Sequence, residues 1–472
     1  MGEEQCMKTL IKNGTILTAT SEYVADVAIE DEKIVMIGKE LPGTFDKVVD
    51  AAGKYLMPGG VDNHSHFEAL NSDGVTFNAG YETSYVAVLG GTTTVVDFAS
   101  NDPGKSLVES IRYRIEERAK GKVVPDMALH ALCTNFTDKT LQEIPQLVEM
   151  GIPTMKMFMA YKPTPMYMDD TKLLKTMQTA VNYGMTMMVH AENADVLNVL
   201  RDQYAEKGLL APKYHYMTRP PYSESEAVQR AVLFAKATGC PLCVVHVSCM
   251  EAAEVIKEAR KNGVAVIGET CPHYLVLDKH KMDHPDFDQA CRWVCSPALR
   301  NKEDQEYLWD ALKRNSISLV GSDHAAIPMY QKYWGKDDFR AIPNGSPGSG
   351  DRLNVLWTYG VVPGKISKQK LVEISATTPA KLCGIYPQKG AIEVGSDADV
   401  VIFDPDFKGT FSVETNPTGV EYNTYEGMEQ IGRPETVFLR GNVVVENGKF
   451  VGELGSGRFV PGKPYGLAYD LL

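Results

Sequence analysis

From about residue 56 to residue 385 the chain alternates short β-type runs with longer amphipathic helical stretches, and that alternation restricts its fold more than any other feature. Strands joined by helices pair in parallel, because each helix carries the chain back to the edge from which the next strand starts. Eight runs qualify: 55–61, 92–99, 126–133, 153–159, 185–190, 241–247, 264–270 and 317–322. Helical stretches such as 105–120, 170–183, 222–237, 250–261 and 302–315 lie between them. Such units can close into a (β/α)8 barrel of the TIM type or stay open as a doubly wound sheet. Periodicity alone does not separate the two.

The polar residues at the strand ends do. His64 and His66 follow the first run, Lys156 lies in the fourth and His190 ends the fifth. His246 lies near the end of the sixth run, and Asp323 follows the eighth. A barrel brings the C-terminal ends of all its strands to one mouth, which an open sheet cannot easily do for strands so far apart. The expected fold is therefore an α/β barrel over residues 56–385. The two ends of the chain read differently. Alternating apolar and polar residues around Asn13-Gly14, Asp31-Glu32-Lys33 and Asn447-Gly448 predict hairpins. Residues 1–55 and 386–454 are expected to build one small discontinuous β-sandwich, leaving 455–472 as a tail available for subunit contacts.

Bulk properties narrow the partners. A net charge of −13 over 472 residues disfavours nucleic acid and anionic membranes, which reward a basic face. No apolar run approaches the roughly 20 residues that span a bilayer. Nine cysteines in so long a chain do not form a disulfide framework. With an acidic start lacking an apolar signal core, they point to a reduced, cytoplasmic protein. Cys240 and Cys243 form a Cys-x-x-Cys, but no second pair has zinc-finger spacing.

The strand-end residues carry chemistry. His64 and His66 stand two apart, so along a strand both imidazoles project to one face and can reach one metal ion. Lys156 sits in an otherwise apolar run, Met155 to Ala160, where an ammonium is costly unless paired. Either it finds a carboxylate, or it stays neutral and can take up CO2 as a carbamate. His190 and His246 taken singly are ordinary strand-end histidines. Together with Asp323 and the others they suffice for two ions of a metal that tolerates imidazole, such as zinc, with manganese or iron as substitutes. His273 and Asp97 also lie at strand ends and could support the ligands.

Nine stretches then combine: GGVDNHSH, GGTTTVVDFA, MKMFMAYK, MVHAEN, VVHVS, ETCPHYL, CSPALRN, GSDHA and IPNGSPG. In this order they resemble the hydantoinase/dihydropyrimidinase family of cyclic amidohydrolases over essentially the whole chain. The resemblance implies that His64, His66, Asp323 and an N6-carboxylated Lys156 hold one divalent metal, with Lys156, His190 and His246 holding another. It further implies a hydroxide bridging the ions, Asp323 as the proton carrier and Tyr161 as the oxyanion donor. Ser296 and Asn344 would hold the ring. The implied reaction opens a cyclic ureide, such as a hydantoin or dihydropyrimidine, to an N-carbamoyl amino acid, and the implied assembly is a homotetramer. An allantoinase-like enzyme and a non-catalytic dihydropyrimidinase-related scaffold are the alternatives. Dihydroorotases usually place an arginine after the His-x-His pair, where Phe67 and Glu68 stand here. Other departures from the family pattern are Gly350, the stretch from Phe67 to Asn71, and the loop with Pro163, Pro165, Met166 and Tyr167. These concern the ring substituent rather than the metal ligands.

Overall fold

Eight parallel strands follow one another in a ring, each hydrogen-bonded to the next: β1 (Gly60–Ser65), β2 (Thr92–Ser100), β3 (Asp126–Leu132), β4 (Thr154–Phe158), β5 (Thr186–His190), β6 (Leu242–Val244), β7 (Val266–Thr270) and β8 (Leu319–Val320). The computed structural model describes residues 7–69 and 79–464. The ring closes where Ser65 bridges His324 and the His66 N–H donates to the His324 carbonyl at 2.7 Å. This is the barrel that the strand-end residues require.

Alternation along each strand sorts the side chains. On β4, Met155 and Met157, with Met159 just beyond its end, join the apolar layer shared with the outer helices, whereas Phe158 packs in the lumen with Phe98, Leu132, Met188, Val245 and Leu319. Lys156, two residues before Phe158, shares the lumen face. Helices on the outside start where short polar side chains satisfy free N–H groups. The Asp169 carboxylate accepts from Lys172 N–H ahead of Asp170–Ala180, and Asn193 caps Ala194–Glu206. Asn301 and Asp304 form a capping box at Lys302–Lys313.

Three expectations from sequence need correction. The run 55–61 divides: Tyr55–Pro58 belongs to the sandwich, and the barrel strand begins at Gly60. β6 and β8 are shorter than expected. β6 stops before His246, whose φ of 43° takes it out of extended conformation. After β8, Gly321 brings the backbone hard against its neighbours: a Cβ there would lie 2.6 Å from the His64 Cβ and 2.9 Å from Glu269 Oε1. Asn13-Gly14, finally, is not a hairpin turn. Asn13, at φ 64°, sits where the chain leaves one sheet for another, so Lys8–Lys12 and Thr15–Leu17 do not pair.

The sandwich comprises a four-stranded sheet (Lys33–Gly38, Asp26–Glu30, Lys8–Lys12, Lys47–Asp50) and a seven-stranded sheet. The larger sheet runs from Lys449–Phe450 through Asn442–Glu446, Glu429–Leu439, Val400–Thr410, Tyr55–Pro58 and Thr15–Leu17 to Glu22–Val24. Both termini thus contribute, and Ile11, Ile29, Leu56, Val400 and Phe438 fill the space between. Asp31 and Asn447-Gly448 do turn hairpins, all three with positive φ. Residues 455–464 of the tail fold back on their own chain: Met127 N–H donates to the Arg458 carbonyl and Val460 N–H to the Met127 carbonyl, both at 2.8 Å. The remainder of the tail lies outside the described residues. Cys240 and Cys243 pack in different apolar clusters, and all eight described cysteines are buried free thiols. Among the described residues no helix is long and apolar enough to cross a membrane.

Barrel and sandwich are tied by a buried ionic knot. Lys389 Nζ lies 2.5, 3.0 and 2.9 Å from carboxylate oxygens of Asp126, Asp397 and Asp399. Burial opposes its charge, but the three carboxylates together raise its proton affinity above the ordinary lysine value. Asp126 opens β3 and also pairs with Arg440. Among the described residues, removing the cation leaves Asp399 with no ionic partner and takes one from Asp126 and from Asp397, which keep Arg440 and Lys33. Lys389→Met is therefore expected to cost about 3–5 kcal/mol of stability in a urea titration; a loss below about 1 kcal/mol would show that the knot is not holding the two parts together.

Candidate active site

The barrel mouth gathers residues from five strand ends. His64, His66 and Asp323 present ligand atoms that all lie within 4.8 Å of one another. Asp323 Oδ1 is 3.1 Å from His64 Nε2 and 3.6 Å from His66 Nε2. The rings continue as a chain, with centroids 5.3 Å apart for His64 and His246, 4.5 Å for His246 and His190, and 5.4 Å for His190 and Tyr161. Lys156 Nζ lies 3.0 Å from His64 Nε2 and 4.3 Å from the Phe98 ring centre. All six residues singled out as ligands therefore meet at one place.

Their electrostatics follow from burial. Desolvation dominates at Lys156 and pulls its pKa down to about 8, with Asp323 and Glu269 only partly offsetting it. That shift disfavours the charged form by roughly 3 kcal/mol. Desolvation also lowers His66 and His246 well below the usual imidazole range, and nearby cations push the same way. Burial would raise Asp323, but the His64, His246 and His66 rings outweigh it and keep the carboxylate ionised far into acid. At neutral pH His66, His190 and His246 are thus unprotonated beside a carboxylate, while Glu269 and Asp323, against burial, raise the proton affinity of His64; together they form the donor set of a divalent cation. His246 Nδ1 is buried with no hydrogen-bond partner. The residues fit a metal centre.

Backbone strain accompanies the site. Tyr161, His246 and Asp323 have φ values of 67°, 43° and 50°, a left-handed region uncommon for any residue but glycine, although Asp and His enter it more readily than Tyr. Such strain persists only where the surroundings fix the geometry, and it is concentrated at functional residues. The Tyr161 hydroxyl, beside Ser296, is pushed up to about 12 by burial, with Arg219 opposing, so it stays a hydrogen-bond donor. Asn344 lies on the loop after β8 with its side-chain oxygen buried and unpartnered.

Several supporting residues escape a reading of sequence. Glu269, at the end of β7, accepts from His64 Nδ1 at 2.6 Å and from Asn63 Nδ2 at 2.6 Å, with every partner fully buried. This bond leaves Nε2 of His64 free for a ligand. Glu192 bonds His190 Nε2 at 2.7 Å and Arg219 Nη1 at 2.6 Å. Burial resists its ionisation, but Arg219 and His190 hold the carboxyl far below the normal range. Asp62 accepts from Ser322 Oγ at 2.5 Å and Ser349 Oγ at 2.8 Å, fixing the backbone before Asp323. Glu269 could have been suspected as a carboxylate in a buried strand; nothing local marks Arg219. Of the strand-end residues considered as supports, Asp97 does support the mouth. It accepts from Phe67 N–H at 2.9 Å, from Tyr81 Oη at 2.5 Å and from Arg114 at 3.1 Å, anchoring the loop that leaves His66. His273 lies buried with an unpartnered Nε2. In that loop Phe67 packs 4.5 Å from the His324 ring and Glu68 pairs with Arg118, whereas Leu70 and Asn71 lie outside the described residues.

A fold and mouth of this kind define a class. Residues 55–444 match the Amidohydrolase family. D-hydantoinase of Geobacillus stearothermophilus is 44% identical over 98% of this chain and 98% of its own length. Dihydropyrimidinase of Rattus norvegicus is 35% identical, covering 97% of this chain and 89% of the relative. The crystal structure of dihydropyrimidinase from Brevibacillus agri superposes with a TM-score of 0.94 at 44% identity, over 97% of this chain and 99% of that one. The chain belongs to the amidohydrolase family, in its hydantoinase/dihydropyrimidinase branch.

Glu269 offers a direct test of the geometry. In Glu269→Gln the amide can donate to His64 Nδ1, which moves the imidazole proton to Nε2 and blocks that ligand atom. Zinc affinity is expected to fall about 10–100-fold in a competition titration with a chromogenic chelator. An unchanged affinity would mean that the 2.6 Å contact does not set the His64 tautomer.

Proposed function

We propose that this chain hydrolyses a cyclic ureide, a hydantoin or a dihydropyrimidine, to the open N-carbamoyl amino acid. One observation carries the reading: a fully buried lysine lies within 3.0 Å of the His64 member of the His64, His66 and Asp323 cluster, in a chain of this family. Lys156 with His64, His66 and Asp323 would hold one divalent cation, and Lys156 with His190 and His246 a second, zinc being the proposed metal. Such a pair supplies Lewis acidity and lowers the pKa of water.

The chain's own residues do the rest. Lys156, with a pKa near 8, is roughly one-tenth neutral at pH 7, against about 0.03% for an unperturbed lysine. Only the neutral amine attacks CO2; the product is a carbamate and one released proton. A carbamate replaces a costly cation in the lumen with an anion facing imidazoles. Asp323 takes up the proton of the attacking water at a carboxylate oxygen and returns it to the ring nitrogen as the C–N bond breaks. Tyr161, still protonated, donates to the carbonyl oxygen as it gains charge. The main chain around Ser296 and Asn344 holds the ring's N–H and C=O groups. A cytoplasmic homotetramer completes the reading.

Hydantoin, dihydrouracil and several 5-substituted hydantoins should each be converted to an N-carbamoyl product detectable by chromatography. Turnover of allantoin with none of these would move the assignment to an allantoinase-like enzyme. Tyr161→Phe should lower kcat about 100–1000-fold with metal content preserved. Lys156→Ala should lose bound metal and turnover together, and full metal content in that variant would sink the carbamate. At a fixed concentration of dissolved CO2 the neutral amine fraction rises steeply between pH 6 and 8 and then levels, and so should the rate at which metal-free protein regains zinc. A rate independent of pH between 6 and 8 would contradict the assignment of Lys156.

A further inference from the structure

Besides Lys389 of the ionic knot, another lysine is as deeply buried as Lys156, and it lies behind the substrate loops rather than in the metal cluster. Lys332, on the short helix Met329–Lys332, has no exposed surface. Among the described residues no carboxylate pairs with it. Its Nζ donates instead to three main-chain carbonyls: Val294 at 3.3 Å, Pro343 at 2.8 Å and Gly345 at 2.6 Å. Three acceptors match the three N–H donors of an ammonium.

The identity of those carbonyls matters. Pro343 and Gly345 flank Asn344, and Val294 lies two residues before Ser296. The same two segments are stitched once more, by Gly345 N–H donating to the Val294 carbonyl at 3.0 Å and by Ser346 Oγ donating to the Arg292 carbonyl at 2.7 Å. Gly345 itself has a φ of 140°, and a Cβ there would stand 2.6 Å from the Ala325 Cβ, so the loop has little freedom to settle elsewhere. With the Pro343 carbonyl turned toward Lys332 and the Gly345 N–H turned toward the Val294 carbonyl, the orientation of the peptide groups on either side of Asn344 is determined. An apolar side chain in this place would avoid the desolvation of a cation, which makes packing alone a poor explanation for lysine.

We infer that Lys332 is a positioning residue for substrate: its ammonium clamps the Ser296 and Asn344 segments into one cradle for the N–H and C=O groups of the ring. The inference rests on the proposed ring-opening activity and deepens it, by assigning the shape of the ring-binding edge to a side chain that never touches the ring. It also separates this lysine from catalysis. Lys332 should govern how well the ring is held, leaving metal content and the proton steps alone.

The test is steady-state kinetics of Lys332→Met, Lys332→Gln and Lys332→Arg on hydantoin and dihydrouracil. Zinc content is measured alongside, with thermal melting to establish folding. The expected result is a rise in KM of at least tenfold for Lys332→Met with kcat within about threefold and zinc content equal to wild type. Lys332→Arg, which keeps a cation and several donors, should recover part of the KM. Should Lys332→Met not fold, Lys332→Gln, which retains one donor group, gives the same reading. A folded Met or Gln variant with KM within twofold of wild type overturns the inference, as does a parallel loss of zinc and kcat. Wild-type protein inactive on both rings would instead overturn the functional reading and this inference with it, so the two failures are told apart.

Discussion

A primary amine enclosed in a barrel lumen is a poor cation, and the rest of this site is arranged around that fact. Water is excluded from Lys156 by the Phe98 and Phe158 rings and the strands on either side, and this burial pulls its proton affinity down. Asp323 and Glu269 attract the ammonium but do not restore its ordinary proton affinity. The same dryness keeps His66 and His246 unprotonated. One physical condition therefore yields both a nucleophilic amine and a set of neutral nitrogen donors, and the Asp323 carboxylate, stabilised by those rings, supplies the negative charge they lack.

Such a cluster is useful only if it is rigid, and rigidity comes from a ring of buried acids and bases behind it. Glu269 orients His64, the Glu192–Arg219 pair holds His190, and Asp62 fixes the turn before Asp323. Glu269 and Asp62 use both carboxylate oxygens in these contacts, whereas Glu192 meets His190 and Arg219 through one oxygen alone. The left-handed backbones at Tyr161, His246 and Asp323 store strain that this scaffold opposes. On the far side of the mouth, Lys332 does for the ring-binding segments what Glu269 does for a ligand.

Much of this was legible in the sequence, for physical reasons. Strand periodicity and the placement of His64, His66, Lys156, His190, His246 and Asp323 at strand ends implied a barrel, because only closure brings those ends together. Turn chemistry identified Asp31 and Asn447-Gly448 as hairpins. It misled at Asn13-Gly14, since a left-handed residue serves equally well where a chain changes sheets. The boundary at Tyr55–Pro58 was hidden because a sandwich strand runs into a barrel strand with one residue between. Glu269, Glu192, Arg219 and Lys332 stayed hidden for another reason. Their roles are set by contacts across more than one element, and a charged residue in an amphipathic stretch gives no sign of facing inward.

The central claim is that the dehydrated mouth around Lys156 is a two-cation site that opens cyclic ureides. Elemental analysis of the protein purified without chelators, paired with its rate on hydantoin before and after metal removal, tests it most directly. About two divalent ions per chain are expected, with loss of turnover on stripping and recovery only when metal and bicarbonate are returned together. Undiminished hydrolysis by protein stripped of divalent ions would contradict it.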